Sequence, residues 1–355
     1  MKKFFNNKKI LITGHTGFKG SWLTLWLTYM GANVLGISSN IVTRPSNFEI
    51  LKLKNKINNK KIDLRNYKKI NKVILDFKPD FLFHLAAEAI VKKSYVSPKK
   101  TWETNTLGTI NILESLRNYK KKITVVIITS DKAYKNIEIS RGYKEHDRLG
   151  GLDPYSASKA SADLATQSYI NSYFKYKKNI QIAVARAGNV IGGGDWAEGR
   201  LIPDCIKSWS KNKKVIIRNP KSTRPWQHVL DVLRGYLILA INLRNNKKCN
   251  GEIFNFGPKR EKKREVINIV KEIRTNWKQA NWIIKNNKIF FESKLLQLDS
   301  TKAKKILNWK CNLNLKESIF FTIDWYKQYF EKSKNMFDFS IKQIQKFEKI
   351  SKNKI

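Results

Sequence analysis

The sequence predicts an α/β protein with a doubly wound parallel sheet and a smaller C-terminal lobe. Strand-like and helix-like segments alternate over residues 9–190, as parallel strands joined by crossover helices require. A glycine-rich turn follows the first strand, and the alternation loosens after residue 190. We expect residues 1–190 to form the sheet domain, residues 191–330 mainly the lobe with some return to the sheet domain, and residues 331–355 a basic, amphipathic tail.

The expected strands are short and mostly apolar, and turn residues or helical patterns separate them. In chain order they are Lys9–Thr13, Asn33–Ile37, Lys60–Ile62, Phe81–Ala87, Ile123–Ile128 and Gln181–Ala185. The expected helices are Ser21–Leu27 with an end near Gly31, Trp102–Tyr119, a helix around Tyr155, a helix from Asp231, and Trp309–Phe330.

The glycine turn has the spacing Gly-x-x-Gly-x-x-Gly, with Gly14, Gly17 and Gly20 between a strand and an apolar helix. Glycines at these positions let the backbone approach a pyrophosphate, while the helix N-terminus supplies amide donors. This order favours a dinucleotide cofactor over a plain tight turn. The second strand ends in Ser-Ser-Asn at 38–40 instead of the acidic residue typical of NAD sites, and Arg44 lies nearby, so the residues alone leave NAD and NADP open.

Two groups of reactive side chains follow the strand Ile123–Ile128. Ser130, Asp131 and Lys132 come where this strand should end, and open α/β sheets place their chemistry at the carboxyl ends of strands. Tyr155 and Lys159 are four residues apart, so one face of a helix carries both. We expect the lysine charge to lower the pKa of the phenol, which then takes the proton of an alcohol during its oxidation. The carboxyl group of Asp131 and the amine of Lys132 indicate acid and base chemistry beyond simple oxidation.

Several polar residues favour structural or cofactor roles. Asp63 and Leu64 follow the third strand and are expected to face an adenine. His84 has apolar neighbours, so we interpret it as a core residue, and Asn105 is expected to tie its helix to a strand.

The loops of the lobe carry groups suited to a sugar diphosphate. A glycine-rich segment at 187–196 can wrap a phosphate or a sugar, and Arg218 and Arg224 offer guanidinium groups for a diphosphate. Trp226 can stack on a base, although exposed loop arginines are more often plain surface.

Composition excludes some classes of protein. The 355 residues carry a net charge of +42, from 70 Lys and Arg against 28 Asp and Glu. These charges are spread over every segment without a zinc-finger, basic-zipper or RNP pattern, so we interpret them as solvated surface and expect no nucleic-acid partner. Three widely spaced cysteines lack a metal-binding pattern, which favours a reduced, cytoplasmic protein without a metal site. No apolar run is long enough to cross a bilayer, so no membrane association is expected.

With the glycine turn, Tyr155, Lys159 and Asn105, the sequence resembles the extended short-chain dehydrogenase/reductases that act on nucleotide sugars. Longer runs resemble the CDP-glucose 4,6-dehydratase family, and the resemblance covers residues 8 to about 330. The runs that carry it are Thr13–Trp22, Thr129–Lys132, Asp153–Lys159, Ala185–Ala197 and Arg224–Val229.

This resemblance implies a Rossmann-type sheet domain, NAD as a recycled cofactor and CDP-D-glucose as the substrate. It further implies that Tyr155, assisted by Lys159, removes the 4-hydroxyl proton as hydride passes from C4 to NAD. Asp131 is then expected to protonate the departing 6-hydroxyl, a neutral Lys132 to take the C5 proton, and Ser130 to hydrogen-bond the sugar near C4. The product is CDP-4-keto-6-deoxy-D-glucose.

The expected contact residues fall into two sets. Those for the cofactor are Gly14, Thr16, Gly17, Phe18, Gly20, Asp63, Leu64, Leu85, Ala86, Ala87, Thr104, Thr129, Tyr155 and Lys159. Those for the substrate are Ser94, Asn189, Arg200, Leu201, Arg218, Arg224, Trp226 and His228. The resemblance also implies a homodimer or homotetramer that associates through the helices containing Asn105 and Tyr155.

Three alternatives stay open at this point. No single residue distinguishes cytosine from another base, so a different nucleotide-sugar 4,6-dehydratase is possible. A nucleotide-sugar 4-epimerase also needs the glycine turn, Tyr155 and Lys159, but it has no use for Asp131 and Lys132 as an acid and a base around C5 and C6. A nucleic-acid-binding protein without catalysis is favoured only by the charge.

Overall fold

The computed structural model describes residues 1–258, 265–285, 295–332 and 335–353. Its strands, in chain order, are β1 (Lys9–Thr13), β2 (Asn33–Ser38), β3 (Asn58–Lys61), β4 (Phe81–His84), β5 (Ile123–Ile128), β6 (Ile180–Ala187), β7 (Val190–Ile191), β8 (Val215–Ile217), β9 (Gln227–His228), β10 (Ile253–Phe256) and β11 (Trp282–Ile284).

Helices connect these strands on both sides of the sheet. They are α1 (Lys2–Phe5), α2 (Phe18–Tyr29), α3 (Asn47–Ile50), α4 (Tyr67–Phe77), α5 (Val91–Val96), α6 (Pro98–Trp102), α7 (Gly108–Arg117), α8 (Pro154–Tyr169), α9 (Leu201–Trp209), α10 (Val229–Asn245), α11 (Val266–Asn276), α12 (Thr301–Leu307), α13 (Leu315–Glu331) and α14 (Met336–Asn353). Short π-helical segments at Glu103–Leu107 and Ile170–Phe174 extend the helices beside them.

The central sheet has the order β3-β2-β1-β4-β5-β6-β10, and each neighbouring pair is parallel. The predicted doubly wound sheet is therefore confirmed. Strand order reverses between β1 and β4, and ligands of open α/β sheets bind in the crevice at such a reversal. Two short parallel pairs, β7 with β9 and β8 with β11, stand apart from this sheet. The edge strand β10 lies beyond residue 191 in the sequence, so the chain returns to the sheet after it has entered the lobe.

Alternate side chains of each strand enter opposite faces of the sheet, as a period of two requires. Val126 and Ile128 of β5 belong to the core cluster that also contains side chains of α2, α10 and α13. Val125 and Ile127 belong to the cluster on the other face, with side chains of α4 and α7. The strands are apolar on both faces because helices cover both faces.

The C-terminal segment corrects one expectation. Residues 336–353 form a packed helix rather than a tail, and Ile344 and Phe347 are fully buried against the core. The indole Nε1 of Trp26 donates to Glu348 Oε1 at 3.0 Å, and Gln343 Nε2 donates to the Phe321 carbonyl at 2.9 Å. The amphipathic pattern was correct, but its apolar face is covered by α2 and α13 of the same chain.

Several element boundaries also differ from expectation. The strand expected over Phe81–Ala87 ends at His84, and the residues after it turn into the crevice. The helix expected over Trp309–Phe330 begins at Leu315, because Asn314 and Glu317 form a capping box that fixes the start.

Three further observations concern membranes, metals and thiols. In the part of the chain that the structure describes, every helix is too short or too polar to cross a bilayer. Within the same ranges, no group of three or more His, Cys, Asp or Glu side chains is placed to hold a metal. Cys205, Cys249 and Cys311 are not joined in disulfide bonds.

Candidate active site

A cavity of about 750 Å³ lies at the carboxyl edge of the sheet and runs from the glycine turn into the lobe. It brings together most of the residues expected from the sequence. Those expected at the cofactor are Gly14, Thr16, Gly17, Phe18, Gly20, Asp63, Leu64, Leu85, Ala86, Ala87, Thr104, Thr129 and Tyr155. Those expected to act on or bind the substrate are Ser130, Asp131, Lys132, Asn189, Arg200, Leu201, Arg218, Arg224 and Trp226.

On one side of the glycine turn, backbone segments pack closely against Gly14 and Gly20. On the other side, at Gly17, the turn leaves room for a ligand. A Cβ atom on Gly20 would lie 2.1 Å from the Gly14 carbonyl oxygen, and one on Gly14 would lie 2.7 Å from the Ala86 Cα. A Cβ atom on Gly17 would meet only the Gly14 oxygen, at 3.3 Å, and would otherwise face open space. Gly17 is also the N-cap of α2, where backbone amides lack helical partners. The turn therefore fits a pyrophosphate.

The residues after β2 line the far end of the cavity. They include Ser38, Ser39 and Asn40, whereas Arg44 is not among the lining residues. Ser38 Oγ lies 3.0 Å from His15 Nδ1, and Asn59 Oδ1 lies 2.7 Å from His15 Nε2, so the imidazole braces this end of the turn. Burial lowers the pKa of His15 below its usual value, with the contact to Asn59 acting in the opposite direction.

The predicted core role of His84 is confirmed, whereas Asn105 has a structural role with partners other than the expected strand. The two ring nitrogens of His84 lie 2.8 Å from Thr13 Oγ1 and 3.0 Å from Thr109 Oγ1, and burial lowers its pKa to about 3. Asn105 accepts a hydrogen bond from the Glu88 amide at 2.8 Å and donates to Ser158 Oγ at 2.9 Å. It thereby ties the segment after β4 to α8.

Ser130, Asp131 and Lys132 form a compact turn directly after β5 and Thr129. Ser130 Oγ donates to Asp131 Oδ1 at 3.0 Å and accepts from the Lys132 amide at 3.2 Å. Asp131 is buried, with 2% of its surface exposed, and burial raises the pKa of its carboxyl although the Lys132 charge and the Ser130 hydrogen bond oppose the rise. A carboxyl with a raised pKa retains its proton nearer to neutral pH, as a general acid requires.

The electrostatics of Tyr155 differ from expectation. Burial raises the pKa of its phenol, and the opposing effects come from a hydrogen bond with Ser130 and the charge of Arg200. The ammonium of Lys159 donates to the Ile128 carbonyl at 3.2 Å, and burial followed by the charge of Lys19 lowers its pKa to about 7. The expectation that Lys159 sets a lowered phenol pKa was therefore wrong, because the buried lysine is itself a weakened cation.

The lobe contributes positively charged side chains to the cavity. Arg200 Nη1 lies 2.9 Å from Asp195 Oδ2, and that carboxylate raises the pKa of the guanidinium. The hydroxyl of Tyr326 donates to the Asp195 carbonyl, which fixes the loop that carries this pair. Arg224 Nη1 donates to the Thr223 carbonyl at 2.8 Å and also lines the cavity.

Three expected site residues do not line the cavity. Lys159 lies behind it, with its amine on the Ile128 carbonyl. Ser94 is fully buried in α5 and donates to the Val91 carbonyl at 2.7 Å. His228 is fully buried, and its Nδ1 accepts from the Leu230 amide at 3.3 Å, so it caps α10. In this structure the Ser94 hydroxyl and His228 Nδ1 are used inside the framework, and their contact with the substrate stays a prediction.

Several residues of the site were missed. Lys19 lines the cavity from the glycine turn, and a lysine inside an otherwise apolar segment was the available signal. Arg186 and Asp163 form a buried, bidentate ion pair with distances of 2.8 Å, and Thr129 Oγ1 donates to the same carboxylate at 3.0 Å. Their spacing of 23 residues on different elements gave no sequence signal.

The fold and this cavity define a class. A doubly wound sheet with a glycine turn, a strand-terminal serine and a helical tyrosine and lysine is that of the extended short-chain dehydrogenase/reductases. Residues 11–320 match the family model of GDP-mannose 4,6 dehydratase, and the chain belongs to this family of nucleotide-sugar dehydratases.

Individual relatives agree with this assignment. The chain is 43% identical over 331 residues to the CDP-glucose 4,6-dehydratase of Salmonella typhimurium, which covers 92% of each sequence. Its fold matches an epimerase from Methanothermobacter thermautotrophicus with a TM-score of 0.80 and 23% identity, over 93% of this chain and 95% of the other. A dTDP-glucose 4,6-dehydratase from Bacillus anthracis, solved with NAD, gives a TM-score of 0.74 and 22% identity, over 91% and 98%. The predicted family resemblance is confirmed.

Proposed function

We propose that this protein converts CDP-D-glucose into CDP-4-keto-6-deoxy-D-glucose and water. The observation that carries the proposal is the placement of Ser130, Asp131, Lys132 and Tyr155 in one cavity with a glycine turn. The identity with the Salmonella CDP-glucose enzyme supports the choice of nucleotide.

NAD is the cofactor that the cavity supports best. The open face of Gly17 accommodates a pyrophosphate, and the lining after β2 is formed by uncharged residues rather than by Arg44, which favours a ribose without a 2′-phosphate. Bound NAD would accept a hydride from the sugar and return it later in the cycle. Phe18 and Leu85–Ala87 would lie along the dinucleotide.

The residues of the chain move the protons of the reaction. Tyr155 takes the proton of the 4-hydroxyl as the sugar is oxidised at C4, and the Ser130 hydrogen bond and the Arg200 charge favour its phenolate form. The new ketone acidifies C5. The Lys132 amine takes the C5 proton, the C6–O bond breaks, and the departing oxygen takes the proton of Asp131 to leave as water. The raised pKa of Asp131 suits this acid role.

The lobe would hold the nucleotide. Arg218 and Arg224 line the cavity opposite the glycine turn and offer guanidinium groups to a diphosphate, and Trp226 offers an indole face to a base. Cysteines without disulfide bonds fit a reducing compartment, so we expect the protein to act in the cytoplasm.

We also propose a homo-oligomer that associates through the helices that carry Asn105 and Tyr155. Trp102, Leu107 and Leu164 lie on these neighbouring elements with 39%, 52% and 54% of their surfaces exposed. Exposed apolar side chains on adjacent helices are typical of a subunit interface.

The proposal is tested by incubating the purified protein with NAD and, separately, with CDP-, dTDP-, UDP- and GDP-linked glucose. The expected result is the alkali-induced near-ultraviolet absorbance of a 4-keto-6-deoxy sugar with CDP-glucose alone. Tyr155→Phe and Lys132→Ala should each lower this rate by at least about 100-fold, because each removes a group that carries a proton.

Other results separate the alternatives. A signal only with another nucleotide would retain the reaction and overturn the substrate. Conversion of a UDP-sugar into its C4 epimer without a ketosugar would instead establish a 4-epimerase.

A further inference from the structure

The turn after β3 presents a carboxylate to the cavity, and a neighbouring arginine holds that carboxylate from outside. Asp63 lines the cavity, whereas Arg65 does not. The Arg65 amide donates to Asp63 Oδ1 at 2.9 Å, and Arg65 Nη2 donates to Asp63 Oδ2 at 2.8 Å. Arg65 Nε is shared between the two oxygens, at 3.1 and 3.2 Å. One guanidinium group therefore fixes the direction of the Asp63 carboxylate.

Arg65 is held in turn by a second carboxylate. Its Nη1 atom lies 3.1 Å from Glu103 Oε2. Glu103 opens the π-helical segment that also carries Thr104, another residue of the cavity lining. Exposed ion pairs contribute little on their own, but a bidentate arginine within a network of charges is the exception. Arg65 thus joins two neighbouring walls of the cavity, one at Asp63 and one at Thr104.

The backbone beside Asp63 is fixed as well. Asn111 Nδ2 donates to the Leu64 carbonyl at 2.7 Å. Leu64 also packs directly on Gly108, where a Cβ atom would lie 2.9 Å from the Leu64 Cβ. Because this turn is fixed, the freedom left to Asp63 is rotation of its side chain, and Arg65 restricts that rotation.

The Asp63 carboxylate retains capacity for one more hydrogen-bond donor. Three hydrogens of Arg65 serve its two oxygens, which offer about four acceptor positions when the group is ionised. Hydrogen bonds from Arg65 lower the pKa of Asp63 below its usual value although partial burial opposes them, so the group acts only as an acceptor at neutral pH. A ligand that donates a hydrogen bond at this end of the cavity would complete the set.

The place of Asp63 in the sheet indicates which part of a dinucleotide it meets. The order β3-β2-β1-β4-β5 puts the turn after β3 on one side of the glycine turn and the proposed catalytic residues after β5 on the other. When the pyrophosphate lies at the glycine turn and the reacting nicotinamide lies near Tyr155, the adenosine half extends toward β2 and β3. The 6-amino group of adenine is a donor, as the unused acceptor position requires.

We propose that Arg65 is a positioning residue that holds the Asp63 carboxylate in place to accept a hydrogen bond from the 6-amino group of adenine. This inference rests on the proposed function, in which NAD is the cofactor. An acceptor that is already oriented loses little side-chain freedom when the dinucleotide binds, so more of the hydrogen-bond energy is retained as affinity. Arg65 thereby contributes to cofactor recognition without touching the cofactor.

The experiment measures, by calorimetric titration, the affinity for NAD and for the analogue in which hydrogen replaces the adenine 6-amino group. The wild-type protein should prefer NAD by at least about 10-fold, because the analogue lacks the donor to a charged acceptor. Arg65→Met should reduce this preference to less than about threefold, because the carboxylate is no longer oriented before binding. Arg65→Lys, which retains the charge without the planar fork, should resemble Arg65→Met.

A second set of variants separates positioning from a general structural role. Asp63→Ala should abolish the preference for NAD. Addition of Arg65→Met to Asp63→Ala should leave the ratio of the two dissociation constants unchanged, because Arg65 acts on adenine only through Asp63. If Arg65→Met does not fold, Glu103→Gln, which weakens the hold on Arg65, should give a preference smaller than that of the wild-type protein.

The matched control is another bidentate pair. Arg141 donates to Asp147 at 2.6 and 2.7 Å, and neither residue lines the cavity. Arg141→Met should leave both affinities unchanged. Equal weakening of the two dinucleotides in Arg65→Met, an unchanged preference for NAD, or a wild-type protein without such a preference would overturn this inference. If the wild-type protein binds neither dinucleotide, the proposed cofactor is overturned instead.

Discussion

At the scale of single residues, burial sets the proton affinities of the site. It raises the pKa values of Asp131 and Tyr155 and lowers those of Lys159 and Lys19, so burial shifts each group toward its uncharged form. Desolvation acts in this direction on every acid and base because a charge is costly in a low-dielectric interior.

The glycines give a prediction at the same scale, because Gly17 and Gly20 have different surroundings. Gly17→Ala brings its methyl group to 3.3 Å from the Gly14 carbonyl oxygen and otherwise into open space, so we expect only a small loss of thermal stability without cofactor and at least about 10-fold weaker NAD binding. Gly20→Ala drives its methyl group to within 2.1 Å of the Gly14 carbonyl oxygen, so we expect a lower melting temperature. Calorimetric titration with NAD and thermal unfolding check the pair. Equal stability of the two variants would contradict this interpretation of the turn.

At the scale of elements, a buried ion pair fixes the catalytic turn. Arg186 of β6 and Asp163 of α8 are 1% and 0% exposed, and the Asp163 carboxylate also accepts from Thr129. Arg186 Nη1 donates to Tyr134 Oη at 2.8 Å, and that hydroxyl donates to Asn255 Oδ1 on β10. One hydrogen-bond network thus joins β6, β10 and α8 to Thr129, the residue immediately before Ser130.

This network predicts a large and non-additive effect of substitution. Asp163→Asn leaves the Arg186 charge buried without its partner, so we expect a loss of about 3–5 kcal/mol in the free energy of unfolding. The double variant Asp163→Asn, Arg186→Met removes both charges. Its free energy of unfolding should therefore fall by less than that of Asp163→Asn alone. Urea unfolding measures the three proteins.

The matched control is an exposed pair. Asp76 lies 3.1 Å from Lys72 on α4, and Asp76→Asn should cost less than about 1 kcal/mol because solvent screens that pair. If Asp163→Asn were no more costly than Asp76→Asn, the buried pair would not organise the turn.

At the scale of the whole molecule, the lobe is built from chain segments that leave the sheet and return to it. β10 and α10 belong to the sheet and its helical layer, whereas α9, β8 and β11 belong to the lobe. The cavity lies between the sheet layer and the lobe and has one wall from each. We therefore expect the substrate to contact both parts. α14 covers α2 and thereby fastens the C-terminus to the helix that begins at the glycine turn.

The proposed oligomer is tested at this scale. Sedimentation velocity should give about twice or four times the 41.4 kDa mass of the chain. Leu164→Glu places a charge on the exposed apolar surface of α8 and should shift the protein toward the monomer. Ile306→Glu, an exposed apolar position on α12, should leave the mass unchanged. A wild-type monomer at micromolar concentration would contradict the proposal.

The sequence by itself determined the sheet, the glycine turn and the side chains that we propose as catalytic. Strand periodicity, glycine spacing and the four-residue spacing of Tyr155 and Lys159 are local, so the order of residues along the chain already encodes them. The strand that precedes Ser130 was predicted with the observed boundaries, Ile123–Ile128. The core role of His84 followed from its apolar neighbours, whereas the partners of Asn105 did not follow from the sequence.

Only the tertiary structure decided which polar groups face the cavity and what charge they favour. Ser94 and His228 point into the framework, whereas Lys19 lines the cavity. The residues beside them in the sequence do not reveal this difference. Arg186, the partner of Asp163, lies on another element, and α2 covers part of the apolar face of α14. Orientation and burial depend on packing between segments far apart in the chain, and burial controls proton affinity, so neither can be read from local sequence.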